Sequence, residues 1–363
     1  MRRAEARVDL GAVEANAARL HGALTGGAEL CAVVKADGYG HGAAACARAA
    51  LAGGATWLAV ATAGEAIALR AAGLDAPRIL VMGALSDAEL EEAIAARAEI
   101  GAWSPHFVAR VGGRAPLHVK LDTGMGRLGT RDPAEADATI EAAGDRLAGL
   151  WTHFATADER GDAFFGAQLE RFRAWALPWK GRRPQVVLHA GNSAATLRDP
   201  AAHFDLVRCG IAVYGLDPFG ADAAAEGLRP ALELRTYVAE VKPCAAGESA
   251  GYGRRFVAER DTWLATLPIG YGDGWRRGLT NNADVVIDGA RYPLVGTVSM
   301  DNITVDLGPE ARVRRGAPAV LVGAGITAEE VARRLATINY EVTTGLLARV
   351  PRVHHRGGEA ADA

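Results

Sequence analysis

Residues 30–42, LCAVVKADGYGHG, set a lysine and a tyrosine where an apolar run breaks into glycines. The β-branched stretch before Lys35 is of the kind buried on both faces of a sheet, and DGYGHG neither continues a strand nor starts a helix cleanly. Lys35 therefore stands at a strand end. An amine in that position can bond covalently to a carbonyl compound, or it can merely carry its charge to water on an apolar stem. The pattern recurs. Lys120 and Asp122, with Arg127, close one apolar run, His153 another, Asn192 and Ser193 a third, and Arg208 a fourth. Polar residues occur at many strand ends, but lysine, histidine, arginine and amide seldom emerge together from otherwise apolar runs. The coincidence favours one shared site.

The elements that must position these groups alternate regularly. Short apolar runs lie at 30–35, 56–61, 78–83, 99–104, 116–122, 147–154, 184–190 and 204–210. Between them come alanine-rich helical segments such as GAAACARAALAG, AGEAIALRAAG, SDAELEEAIAARA, DPAEADATIEAAG and the stretch 162–176. Several open on Ser, Thr or Asp and close on Gly, the signature of capped helices. Eight such alternations predict an α/β fold whose N-terminal part is a closed (β/α)8 barrel, for which roughly 250 residues is typical. An open doubly wound sheet is the alternative, but no GxGxxG follows the first strand. After Leu228 the texture changes to short β-rich runs punctuated by glycine, proline and Asn-Asn turns, with one helix expected over 327–337. The expected division is a barrel over 9–228, a mostly β domain made of 1–8 and 229–355, and a disordered tail over 356–363, where HHRGGEAADA offers nothing to bury.

Barrels of this kind carry their chemistry at the C-terminal strand ends and commonly hold a phosphate near the last two strands. GNSAAT sets Asn192 and Ser193 at a helix start, and RCGIAVYG sets Gly210 where backbone can approach a ligand. A phosphorylated cofactor facing a strand-end lysine points to pyridoxal phosphate held through Lys35 as a Schiff base.

Composition narrows the partners. The chain has 363 residues, half of them hydrophobic, and a net charge of −3 with acids and bases interspersed. No basic footprint for nucleic acid and no polybasic membrane segment is present, so the expected partner is a small molecule. Four cysteines without CxxC spacing suit reduced thiols better than disulfides or a zinc site. The first twenty residues lack the apolar core of a signal peptide, and no apolar stretch is long enough for a bilayer, so a cytoplasmic location is expected.

AVVKADGYGHG, HVKLDTGMGRLG, THFATADE, HAGNSAAT, VRCGIAVYG, GYGRRF, GYGDG, VGTVSMDN and INYE with RVPR, taken in order along the chain, resemble the alanine racemases. The resemblance covers nearly the whole sequence. It implies a pyridoxal-phosphate-dependent isomerase that interconverts L- and D-alanine and supplies D-alanine for peptidoglycan. It implies also a homodimer whose active sites are shared between subunits. Lys35 is then the cofactor lysine and one catalytic base, and Tyr252, contributed by a partner subunit, is the other. Tyr39, Ser193, Gly210, Ile211 and Tyr340 hold the phosphate, with Asn192 and His153 beside the cofactor, and Arg208 faces the pyridine nitrogen. Arg127 and the backbone near Met300 bind the substrate carboxylate, Lys120 is a candidate for carbamylation, and Asp301 and Tyr271 are supporting residues.

A guanidinium only donates, so Arg208 implies an unprotonated ring nitrogen and a weaker electron sink than an acidic residue would give, which disfavours decarboxylation. Two departures from the family pattern stand out: Gly251 before Tyr252, expected to loosen the approach to it, and Asn302 where glutamine is usual. The nearest rival is a broader-specificity amino-acid racemase. A barrel that binds the cofactor without turnover would share the lysine motif but lack residues 231–355.

Overall fold

All eight apolar runs become strands. In the computed structural model, which describes residues 2–310 and 312–361, β1 (Ala4–Asp9) belongs to a separate sheet. The next eight strands close into a parallel barrel in sequence order: β2 (Glu29–Val33), β3 (Trp57–Val60), β4 (Arg78–Val81), β5 (Glu99–Ala102), β6 (Leu117–Lys120), β7 (Leu147–Trp151), β8 (Val187–His189) and β9 (Leu206–Cys209), with β9 pairing back to β2. Every residue of β3, β5, β6 and β9 is buried, as expected of strands covered by helices on one side and filled by side chains on the other.

The helices between the strands start where the sequence caps them. Thr62 and Glu65 form a reciprocal capping box, and Ser86 and Glu89 form another. Ser104 and Asp132 each cap a helix that opens with proline. Each such cap contributes about 1 kcal/mol. The helix expected over 162–176 runs Phe164–Arg182, continuing through Pro178. A helix over Leu10–Gly22, which the strand-centred reading did not single out, precedes β2.

Contacts divide the chain into two units: Ala12–Phe219 with Ala223–Arg229, and the N-terminal residues with Gly220–Asp222 and everything from Pro230 on. The second unit is built on a ten-stranded sheet in the order β11-β14-β17-β16-β15-β18-β10-β1-β19-β20. Its further strands are β10 (Leu232–Tyr237), β11 (Glu240–Cys244), the small separate pair β12 (Ser249–Ala250) and β13 (Phe256–Val257), β14 (Thr262–Leu267), β15 (Asp284–Ile287), β16 (Ala290–Val295), β17 (Ile303–Gly308), β18 (Pro318–Val322), β19 (Arg352–Arg356) and β20 (Glu359–Ala360). The N-terminal strand β1 lies between β10, antiparallel to it, and β19, parallel to it.

Two expectations are corrected. The helix expected over 327–337 is Ala328–Arg334, capped by Thr327, and a second short helix, Asn339–Thr344, follows an extended Ile338. The disordered tail expected from 356 is instead a hairpin: His355 pairs with Ala360 and Arg356 with Glu359. Gly357 and Gly358 both have positive φ, so they turn the chain tightly, and backbone pairing orders a segment with no apolar side chains to bury. Residues 362 and 363 lie outside the described residues.

Candidate active site

Lys35 follows β2 and opens a turn without counterpart in ordinary helices. Ala36, Asp37, Gly38 and Tyr39 all have left-handed backbone angles, with φ between 52° and 62°. The Gly38 N–H donates to Val34 O at 2.9 Å. For each of the three non-glycine residues this conformation costs roughly 1–2 kcal/mol, and strain of this kind persists only where surroundings impose it. The surroundings are visible. Glu65, already in its capping box, accepts from the Ala36 N–H at 2.6 Å, and Asp37 accepts from the Ala43 N–H at 2.9 Å. The turn buries Tyr39, whose ring lies 5.2 Å from that of Tyr214.

Burial lowers the affinity of the Lys35 amine for its proton, and the charges of Arg127 and Arg208 act in the same direction against Glu65. An amine so placed yields its neutral, nucleophilic form more readily than a surface lysine.

Across the barrel mouth, Asn192 caps the helix Ser193–Arg198 with its Oδ1, which accepts from the Ala195 N–H at 2.9 Å. Ser193 Oγ accepts from the Gly210 N–H at 2.9 Å and the Ala212 N–H at 3.4 Å, which joins that helix start to the turn Ile211–Tyr214. A methyl added at Gly210 would lie 2.2 Å from the Tyr39 hydroxyl. Two hydroxyls and two short helical N-termini thus converge on backbone that only glycine leaves open. That arrangement fits a phosphate, which backbone N–H groups and hydroxyls bind well.

Arg208 sits inside the barrel on β9, 2% exposed. Its Nη1 donates to His189 Nδ1 at 2.9 Å. Nη2 donates to Thr152 O at 2.9 Å and Ala190 O at 3.2 Å, and it lies 3.3 Å from His153 Nδ1. No carboxylate is among these partners. Burial lowers its pKa to about 10, so it stays a cation at neutral pH. Burial and the neighbouring cations, Arg208 first, hold His153 well below its ordinary pKa and hence neutral.

Lys120, the last residue of β6, is almost wholly buried with its amine 4.6 Å from the Trp151 ring. Burial, then Arg208 and Arg127, lowers its pKa to about 8. Asp122 gathers the following loop by accepting from the N–H groups of Gly124, Met125 and Gly126 and from Arg131 Nε. Arg127, which that loop carries, is exposed.

The remaining expected site residues belong to the second unit. Tyr252 opens the turn Tyr252–Arg254 and is 73% exposed. Its carbonyl accepts from Thr297 Oγ1 at 2.7 Å. At φ 74° Gly251 brings the backbone so close to Thr297 that a methyl there would stand 3.0 Å from the Thr297 N. Tyr271 and Met300, both substantially exposed, lie on neighbouring segments: the Tyr271 N–H donates to Ser299 O at 3.0 Å and the Gly272 N–H to Met300 O at 2.9 Å. Asp301 pairs with Arg349 at 2.8 Å, and Arg349 in turn bonds the buried Asp273 at 2.7 Å, which fixes the Met300 loop. Tyr340 lies on the helix Asn339–Thr344.

Sequence reasoning missed Glu65, Trp151, Thr152 and His189. His189 alone left a signal, as the polar residue ending the run VVLH.

The description "Alanine racemase, N-terminal domain" matches residues 8–218, and "Alanine racemase, C-terminal domain" matches 231–354. The chain is 44% identical to an alanine racemase of Frankia casuarinae, covering 95% of this chain and 94% of that one. It is 45% identical to one of Thermobifida fusca, covering 97% and 98%. Among solved structures, an alanine racemase from Streptomyces coelicolor A3(2) superposes with a TM-score of 0.90 at 41% identity, covering 97% of each chain. Among the described residues no helix is long and apolar enough to cross a membrane.

Proposed function

The chain belongs to the alanine racemase family, and from that premise we propose that it racemises alanine in the cytoplasm with pyridoxal phosphate and two opposed bases. Bound pyridoxal phosphate supplies an electron sink that acidifies the α-hydrogen of an amino acid joined to it. The phosphate is held by Tyr39, Ser193, Gly210 and Ile211, with Tyr340 completing the set. Asn192 supports this set indirectly by capping the Ser193 helix.

Lys35 holds the cofactor and, once released by substrate, moves the proton at Cα on the face D-alanine presents. Its depressed pKa supports this role. Tyr252 of a partner subunit moves the proton on the L-alanine face, in a homodimer with shared sites. The exposure of Tyr252 and Met300 supports a partner. Arg208 donates to the ring nitrogen. Because a guanidinium cannot give up a proton there, fast return of the proton to Cα is favoured over loss of the carboxylate. His153 tunes the proton relay beside Arg208, Arg127 and the Met300 backbone bind the substrate carboxylate, and Tyr271 and Asp301 support that loop. Lys120 is the carbamylation candidate, and its amine, with pKa about 8, has an accessible neutral form to react with carbon dioxide. D-alanine for peptidoglycan is the expected product.

The observation that carries this reading is the convergence of a Lys35 amine whose pKa burial lowers, the Tyr39, Ser193 and Gly210 cradle and a buried cationic Arg208 on one barrel. Chiral analysis of products from L-alanine, L-serine, L-lysine and L-arginine, with cofactor added, tests it. Alanine should racemise fastest. Cofactor-loaded protein that yields no D-alanine contradicts it, and comparable rates on several amino acids indicate the broader-specificity racemase.

A further inference from the structure

Below Arg208 the barrel interior holds a row of buried polar groups that the proposed reaction does not use. Arg208 Nη1 reaches His189 Nδ1 at 2.9 Å, His189 Nε2 reaches His118 Nδ1 at 2.8 Å, and His118 Nε2 reaches Glu99 Oε2 at 2.7 Å. Arg78 closes the row with Nη2 on Glu99 Oε2 at 2.8 Å and Nε on Oε1, its guanidinium 3.5 Å over the Trp57 ring. Both histidines are fully buried, and Glu99 is 5% exposed. The row descends from β9 through β8, β6 and β5 to Arg78, the first residue of β4 at the N-terminal face.

Its polarity follows from donor and acceptor counting. A guanidinium has only N–H groups, so His189 Nδ1 must accept. The single proton of neutral His189 then sits on Nε2 and is donated to His118 Nδ1, which leaves the His118 proton on Nε2, facing Glu99. The opposite end demands the same order. Burial pushes the Glu99 carboxyl up, but hydrogen bonds from His118 and Arg78 outweigh it and hold its pKa at about 2, so Glu99 is ionised and can only accept. One tautomer pair satisfies every member. A proton added to His118 would force His189 to turn an N–H toward Arg208, donor against donor, and burial lowers both imidazoles.

The backbone is shaped for this row. A methyl at Gly149 on β7 would lie 2.1 Å from His118 Nδ1. Trp151 lies parallel to His189, with ring planes 10° apart, and its Nε1 donates to His118 O at 3.1 Å.

We infer that Glu99 and His118 are positioning residues: they lock His189 as an acceptor, and so hold the Arg208 guanidinium aimed as a donor at the cofactor's ring nitrogen. The inference rests on the assignment of Arg208 to that nitrogen. Nitrogen-15 spectra of histidine-labelled protein, recorded without cofactor and again with pyridoxal phosphate added, report the tautomers directly. Wild type should show His118 and His189 both protonated on Nε2 and unprotonated on Nδ1. A proton on Nδ1 of either ring overturns the inference without any variant.

Glu99→Leu should leave the His118 Nε2–H without an acceptor, loosen the row that backs Arg208, shift the absorbance of the bound cofactor and lower kcat about tenfold to a hundredfold with KM for alanine unchanged, the usual scale for losing an outer partner of an active-site group. Glu99→Gln, whose amide oxygen still accepts, should keep the wild-type tautomers and spectrum. A Glu99→Leu protein that folds and keeps the wild-type cofactor spectrum and kcat overturns the role. The tautomers are read in cofactor-free protein, whereas failure of wild type to take up cofactor or racemise alanine would count against the proposed function instead.

Discussion

Lys35, Arg208 and Tyr252 divide the proposed chemistry, and each can be separated from the others by one substitution. Tyr252→Phe removes a single phenolic oxygen from an exposed side chain whose backbone is anchored by Thr297. It should cripple racemisation while leaving the cofactor bound. Exchange of the α-hydrogen in deuterated water should persist from D-alanine and nearly vanish from L-alanine, because one proton path is deleted and the opposite amine is untouched. Equal loss from both enantiomers would point to one mobile base or a structural role. Lys120 gives a prediction in pH. Its folded pKa of about 8 lies below the ordinary lysine value of 10.5, so between those values the unfolded chain binds the proton that the folded one has released. Stability therefore gains with rising pH across that window and is penalised below it. In cofactor-free protein kept free of carbon dioxide, the denaturation midpoint of wild type should rise across pH 8 to 10 relative to that of Lys120→Met. Parallel profiles would contradict a free buried amine. Lys35, Lys120 and Arg208 were legible because lysine and arginine are conspicuous at the ends of apolar runs, whereas Tyr252 was reached only through the family resemblance. Glu99 and His118 were not legible, since their partners are supplied by neighbouring strands and no spacing along the chain reveals them.

The elements that carry these groups were largely readable. Eight apolar runs gave eight strands because parallel strands are buried on both faces, and capped helices began at Thr62, Ser86 and Asp132 as their side chains dictate. The left-handed turn at 36–39 was not readable. DGYGHG announces a break, but its hand is imposed by Glu65 and Asp37 on backbone N–H groups. The hairpin at 355–360 was missed for a related reason, since backbone pairing ordered a tail that side-chain composition alone would leave free. The turn after β9 offers a test at this scale. In Gly210→Ala the new methyl would meet the Tyr39 hydroxyl at 2.2 Å. Overpacking of that kind costs about 1–3 kcal/mol, hence about tenfold to a hundredfold in pyridoxal phosphate affinity if it falls on the cradle. Titration of apoprotein by absorbance should show that weakening with the overall fold retained. Unchanged affinity would remove Gly210 from the phosphate site.

At the scale of the whole molecule, the residues of the proposed chemistry fall in two units of the chain: Lys35, Arg208 and the proposed phosphate cradle on the barrel, Tyr252 and Met300 on the unit built around the ten-stranded sheet. The central claim is that a working site draws Tyr252 from a second copy of the chain. Mixed dimers test it most directly. Lys35→Ala and Tyr252→Ala proteins, each inactive alone, are combined under conditions of verified subunit exchange, and racemisation of alanine is measured. If the site is shared, each heterodimer contains one site with both mutations and one with neither, so activity should return to about half that of wild type per heterodimer. No recovery after demonstrated exchange would contradict the account, because it would mean that both groups must come from the same chain.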